Sequence, residues 1–320
     1  MPITLPDWQP SAPLQPLKLD WLSRAGVEVA VLRLDLLDPL ISGNKWFKLK
    51  PHIAAAAATG ADGLISLGGA HSNHLHALAA AGRRFGFETV GLLRGEAQST
   101  PTVRDLQSFG MRLHWLGYGG YRQRHHPDFW LEWQARYPAL LPVNEGGGGL
   151  PAARACVEIV DLAREQLAAL GWADYHGWWL AAGTGTTAAG LVLAERGERM
   201  VHVAMAVPPG HGVEQQLPAI LAEAGQCAAG YRLLDASRGG FGRLDAALAG
   251  CIRDCEGQAD LPLEPLYTGK AMLALRAEVE AGYFAPGTRL LMLHTGGLQG
   301  RRAMAQRLAE LAATCAAHPE

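Results

Sequence analysis

Short apolar runs that end in glycine and pass straight into helix-forming sequence recur along the whole chain. Residues 63–67 end in Gly68-Gly69 ahead of a helical stretch at 75–85. Residues 178–182 end in Gly183-Thr184-Gly185 ahead of 188–196, and 290–294 run into Thr295-Gly296-Gly297 before a last helix from about Arg301. Residues 27–34, 89–93, 112–115 and 200–207 read as further strands, and 45–59 and 152–170 as further helices. Parallel strands need long crossovers, which are usually helical, so this succession predicts an α/β fold with mostly parallel sheets covered by helices on both faces. Between Tyr118 and Pro142 the chain is aromatic-rich and reads as an irregular surface excursion.

The 320 residues are 49% hydrophobic and 18% charged, enough to build one large core or two modest ones. A net charge of -2 with no basic block argues against nucleic acid or a charged membrane surface as partner. No apolar run is long enough to span a bilayer, and residues 1–16 are proline-rich rather than signal-like. The five cysteines, Cys156, Cys227, Cys251, Cys255 and Cys315, are odd in number and lack a small-scaffold spacing. Reduced thiols and a cytoplasmic location are the expectation. Cys251 and Cys255 lie one helical turn apart and read as packing residues.

Chemistry concentrates in the turns. Lys45 follows Ser42-Gly43-Asn44 and opens a helix, where burial would lower its pKa and make the amine a nucleophile or base. Lys48 and Lys50 compete for that role, and an isolated lysine triplet is more often a solvated helix face. Ser72 and Asn73 stand at a helix N-terminus after Gly68-Gly69, a place suited to an anion but equally to simple capping. The spacing of His71, His74 and His76 is not that of a metal site. Gly183, Thr184, Gly185, Thr186 and Thr187 combine backbone N–H groups with threonine hydroxyls after a strand, a cradle for a single phosphate. The segment lacks the Gly-Lys-Ser/Thr of a P-loop and the glycine spacing of a dinucleotide fold. A phosphate- or nucleotide-binding module would use this loop but leave Asn44-Lys45 idle. Tyr267 and His294, taken singly, read as core residues.

As a set these segments are specific. Gly43-Asn44-Lys45 with Lys48-Leu49, Gly68-Gly69 with Ser72-Asn73, Glu145-Gly146-Gly147, the 183–187 loop, Tyr267-Thr268-Gly269-Lys270 and His294-Thr295-Gly296-Gly297 occur in that order. The chain thereby resembles the pyridoxal-phosphate enzymes of the tryptophan synthase β-subunit fold, fold type II. It is more similar still to the aminocyclopropane-carboxylate deaminase and D-cysteine desulfhydrase family. The resemblance implies two three-layer α/β domains with the cofactor in the cleft, a larger one from 1–50 and 156–320 and a smaller mobile one from 51–155. It implies Lys45 as the Schiff-base lysine, with Asn44 and Thr295 among the cofactor contacts. Asn73 would bond the cofactor's phenolic oxygen, Gly183 to Thr187 its phosphate, and Thr268 its pyridine nitrogen. Ser72, Asn73, His74 and Tyr267 would meet a small amino-acid substrate, Ser72 and Tyr267 acting with Lys45 in catalysis. A homodimer is implied as well.

Departures from the family pattern bear on the reaction. The deaminases carry a carboxylate where this chain has Thr268, and a neutral partner makes the ring a weaker electron sink. A weaker sink suffices when a group leaves from Cβ, which favours β-elimination from D-cysteine or a related D-amino acid over cyclopropane opening. Phe241 aligns with a second family tyrosine and lacks its hydroxyl. A β-replacing synthase of the same fold is the other alternative.

Overall fold

The computed structural model describes residues 3, 4 and 6–317. Its strands are β1 (Leu14–Leu17), β2 (Glu28–Arg33), β3 (Gly63–Gly68), β4 (Glu88–Leu93), β5 (Arg112–Trp115), β6 (Leu140–Val143), β7 (Gly177–Ala182), β8 (Met200–Met205), β9 (Tyr231–Asp235) and β10 (Arg289–His294). The helices are α1 (Asp20–Ala25), α2 (Lys45–Thr59), α3 (Asn73–Phe85), α4 (Pro101–Ser108), α5 (Gly117–Arg122), α6 (Phe129–Arg136) and α7 (Leu150–Ala155). They continue with α8 (Glu158–Arg164), α9 (Thr186–Glu195), α10 (Val213–Glu223), α11 (Ala246–Ala259), α12 (Thr268–Glu280), α13 (Leu298–Arg301) and α14 (Ala305–Ala317).

The strands form a six-stranded sheet, β1-β2-β10-β7-β8-β9, and a four-stranded sheet, β5-β4-β3-β6. Apart from β1 against β2, every strand pair is parallel. The inner strands of the large sheet are buried on both faces, as parallel strands between helix layers must be. Ala30, Leu32, Leu180, Leu291 and Leu293 pack into one core with α2, α7, α9 and α10. The alternate residues Val29, Val31, Trp179, Leu290 and Met292 enter a second core with α1, α11 and α12. In the smaller sheet Leu64 and Leu93 join the first core beside Leu75 of α3 and Leu106 of α4. Ile65, Leu67, Val90 and Leu92 face Tyr121 of α5 and Trp133 of α6. The molecule is therefore two three-layer α/β units with mostly parallel sheets.

The structure corrects the sequence reading in places. Residues 152–170 are not one helix: α7 ends at Ala155, α8 follows, and a 3-10 turn spans Leu167–Leu170. The break falls where α7 lies against α9, so closely that a Cβ on Gly190 would sit 2.5 Å from the Ala153 carbonyl oxygen and from the Cys156 side chain. Residues 118–142 are not an irregular excursion. They hold most of α5, α6 and the start of β6, and buried Tyr121 and Trp133 cover the small sheet. Pro51, the first residue of the expected small domain, lies within α2, and the small sheet is built from residues 63–143, inside the expected 51–155. No helix among the described residues is long and apolar enough to cross a membrane.

Candidate active site

The carboxyl ends of β2, β10, β7 and β3 feed the loops singled out above, the usual place for a ligand in open parallel sheets. The loop after β2 and the loop after β10 cross in near contact. Gly43 has φ +81, and a Cβ there would lie 2.1 Å from the Thr295 carbonyl oxygen. Only glycine allows both that backbone conformation and that approach. The Asn44 N–H donates to the same carbonyl at 3.2 Å, which pins the start of α2 to the end of β10.

Lys45 is thus the first residue of α2 and is half-buried. Its Nζ donates to Asn44 Oδ1 at 3.0 Å, while Asn44 Nδ2 donates to Thr187 Oγ1 at 2.8 Å. Burial lowers the Lys45 amine to about 8. Lys48, one turn on, is 2% exposed, and burial followed by the neighbouring Lys45 charge lowers it to about 7. Its Nζ lies 3.4 Å from Thr184 Oγ1, which in turn lies 3.2 Å from Thr186 Oγ1.

Those hydroxyls surround the N-terminus of α9. The amides of Thr184, Gly185, Thr186, Thr187 and Ala188 donate to no protein group among the described residues. A row of free N–H groups at a helix start, flanked by hydroxyls and an ammonium, fits a phosphate. Gly146 leaves the space clear: a Cβ there would come within 3.4 Å of Thr184 Cγ2 and 3.8 Å of Lys48 Nζ. The 146–149 glycine run is therefore a wall of the site.

On the small-sheet side, Ser72 caps α3, its Oγ accepting from the Leu75 N–H at 3.2 Å. Asn73 Oδ1 accepts from Gln299 Nε2 at 2.9 Å, and its Nδ2 has no protein partner among the described residues. His74 is buried with Nε2 2.8 Å from Ser66 Oγ on β3, and its ring lies against Gly147 of the 146–149 wall, where an added Cβ would come within 3.1 Å. His71 is exposed and His76 pairs with Asp105 at 3.2 Å, so the three imidazoles diverge.

Tyr267 leans over the first glycine of the cradle, where a Cβ on Gly183 would lie 2.9 Å from its ring. Burial, with Glu264 and Glu145 nearby, pushes its phenol well up, so it stays protonated. Phe241 meets that ring edge-on at 5.3 Å between centroids. The sequence reading missed what holds this corner. Glu264 Oε1 accepts from the Tyr267 and Thr268 N–H groups at 2.6 and 2.7 Å, and Oε2 from Leu266 at 2.8 Å. Burial nonetheless pushes its carboxyl up to about 7. The Thr268 hydroxyl accepts from the Glu264 N–H at 3.0 Å. Lys270, 1% exposed, donates to the carbonyls of Ser237, Gly240 and Phe241 at 2.8, 2.8 and 2.7 Å, fixing the loop that carries Phe241. A carboxylate four residues before a helix start was a readable signal for Glu264; the targets of Lys270 and Gln299 left none.

The arrangement matches known proteins over nearly its whole length. A 1-aminocyclopropane-1-carboxylate deaminase from Burkholderia vietnamiensis is 28% identical over 329 residues, covering 92% of this chain and 94% of the relative. A D-cysteine desulfhydrase from Salmonella newport is 27% identical over 308 residues, covering 88% and 92%. Among solved structures, an ACC deaminase homologue superimposes with a TM-score of 0.83 at 24% identity, covering 97% of this chain and 95% of the other. No protein-family model matches the chain. The free amide cradle, the lysine pair and the unpartnered Asn73 donor all fit pyridoxal phosphate, the cofactor of enzymes of this kind. By sequence and fold the chain is a homologue of the aminocyclopropane-carboxylate deaminases and D-cysteine desulfhydrase, on the tryptophan synthase β-like fold of the type II pyridoxal-phosphate enzymes.

Proposed function

We propose that this chain is a pyridoxal-phosphate-dependent lyase that eliminates the β-substituent of a small amino acid, with D-cysteine or a related D-amino acid as substrate. The overall reaction takes cysteine and water to pyruvate, ammonia and sulfide. The observation that carries this reading is the corner at Tyr267: one phenol beside an apolar ring, with a neutral threonine following it.

Lys45 would hold the cofactor's aldehyde carbon, the 184–188 amides with Thr184, Thr186 and Lys48 its phosphate, and Asn73 Nδ2 its phenolic oxygen. When bound, pyridoxal phosphate draws electrons from the substrate's α-carbon and so makes the α-proton removable. Lys45 Nζ, with a pKa of about 8, is the group suited to take that proton. Ser72 Oγ has only a backbone N–H as partner and no base beside it among the described residues. Its hydroxyl suits donation to the substrate carboxylate better than proton abstraction. Tyr267 keeps its proton, so its phenol can hydrogen-bond a departing thiolate but does not act as a base. Phe241 supplies no second proton donor, whereas opening a cyclopropane requires a carbon–carbon bond to break and a carbon to be protonated.

The test is a keto-acid and sulfide assay of the cofactor-loaded protein against D-cysteine, L-cysteine and 1-aminocyclopropane-1-carboxylate. Pyruvate with equimolar sulfide from D-cysteine is expected. Production of 2-oxobutyrate from the cyclopropane at a comparable or higher kcat/KM would replace this reading with the deaminase one.

A further inference from the structure

The geometry points to Gln299 as the residue that sets which end of the Asn73 amide faces the cofactor. The inference rests on the pyridoxal-phosphate reading above and concerns a residue to which that reading gives no role.

A carboxamide has a donor end and an acceptor end, and either can face a ligand. The phenolic oxygen of bound pyridoxal phosphate carries negative charge and needs a donor. Gln299, at the start of α13, donates its Nε2 to Asn73 Oδ1 at 2.9 Å across 226 residues of sequence. That bond commits the oxygen and leaves Nδ2 as the free end. The neighbouring backbone leaves room for the amide. Gly300 stands beside Oδ1 and Gly297 beside Nδ2, where added Cβ atoms would come within 3.5 and 2.7 Å. Gly297 also has φ +87, so a side chain there would be strained as well as crowded. Nδ2 is not among the fully buried atoms that lack a partner, so it keeps some exposure to solvent. A polar group already hydrogen-bonded on one side costs little reorganisation when the ligand arrives. Gln299 is therefore a positioning residue that acts through Asn73.

The experiment compares wild type, Gln299→Glu and Gln299→Ala, each also in an Asn73→Ala background. Each cofactor-free protein is titrated with pyridoxal phosphate, reading the dissociation constant and the ratio of the visible band to the near-ultraviolet band. The latter belongs to cofactor whose phenol keeps its proton. Gln299→Glu offers only acceptors, so Asn73 must turn Nδ2 toward the new carboxylate and aim Oδ1 at the phenolic oxygen. Affinity should fall about tenfold or more, the scale of a lost hydrogen bond to a charged group, and the visible band should give way to the near-ultraviolet one. Gln299→Ala frees the amide without inverting it, so affinity should fall about threefold at most, with the band ratio nearly unchanged. In the Asn73→Ala background Gln299→Glu should do nothing further. Equal losses in both variants, an unmoved band ratio, or a full effect of Gln299→Glu without Asn73 would each overturn the inference. A wild type that develops no visible band would overturn the cofactor reading itself, which is a different failure.

Discussion

Lys45 and Lys48 lie one helical turn apart, and their charges oppose each other. Burial lowers both, and Lys48 more, to about 7 against about 8 for Lys45. Free Lys48 is charged below about 7 and loses its proton above it. An anion in the cradle favours the ammonium, so binding raises the Lys48 pKa and takes up a proton. Anion affinity must then weaken as pH rises through that range. Sulfate keeps its charge there and isolates the effect. The thermal stabilisation of the cofactor-free protein by sulfate should shrink several-fold between about pH 6 and pH 8. Lys48→Gln should remove most of the stabilisation and its pH dependence. A sulfate effect that is flat or rises with pH would show that Lys48 does not face the anion. Thermal-shift titrations at fixed ionic strength decide it.

At the scale of elements, the site is made by glycine-bearing turns that follow strands, and Gly43, Gly185, Gly296 and Gly297 hold the positive φ that favours glycine. That is why so much of it was legible. Strands buried on both faces are continuous apolar runs, and Gly68-Gly69, Gly183-Thr184-Gly185 and Gly296-Gly297 mark where they end. Edge strands β1 and β9 were missed because they are short and half exposed. The α7–α8 break was missed because no glycine or proline marks it in the sequence; it coincides instead with a close contact to α9. Tyr121 and Trp133 looked like surface aromatics because only the small sheet explains their burial. Lys270 shows the same limit: it sits in a motif the sequence announces, yet its partners lie in a loop some thirty residues earlier. Lys270→Met should strand the carbonyls of Ser237, Gly240 and Phe241, at a cost of about 1–3 kcal/mol. The 237–243 loop should then be cut faster by trypsin after Arg238 or Arg243. An unchanged cleavage rate would mean that the loop holds itself.

At the scale of the whole molecule, side chains from the two sheet units are tied together around the cleft. Asn73 and Asp105 belong to helices of the small sheet, and Gln299 and Arg302, which follow β10 of the large sheet, bind them. Lys45 stands at the head of α2, which leads from the large sheet into the small one. One lysine at that junction carries the functional account, with Lys48, Lys50 and Lys270 as the other nearby candidates. The direct measurement is borohydride reduction of the pyridoxal-phosphate-loaded protein, followed by proteolysis and mass mapping of the labelled peptide. The cofactor's mass on Lys45 alone is the result predicted. Label on Lys48, Lys50 or Lys270, or no label on a protein that has taken up the cofactor, would contradict the assignment.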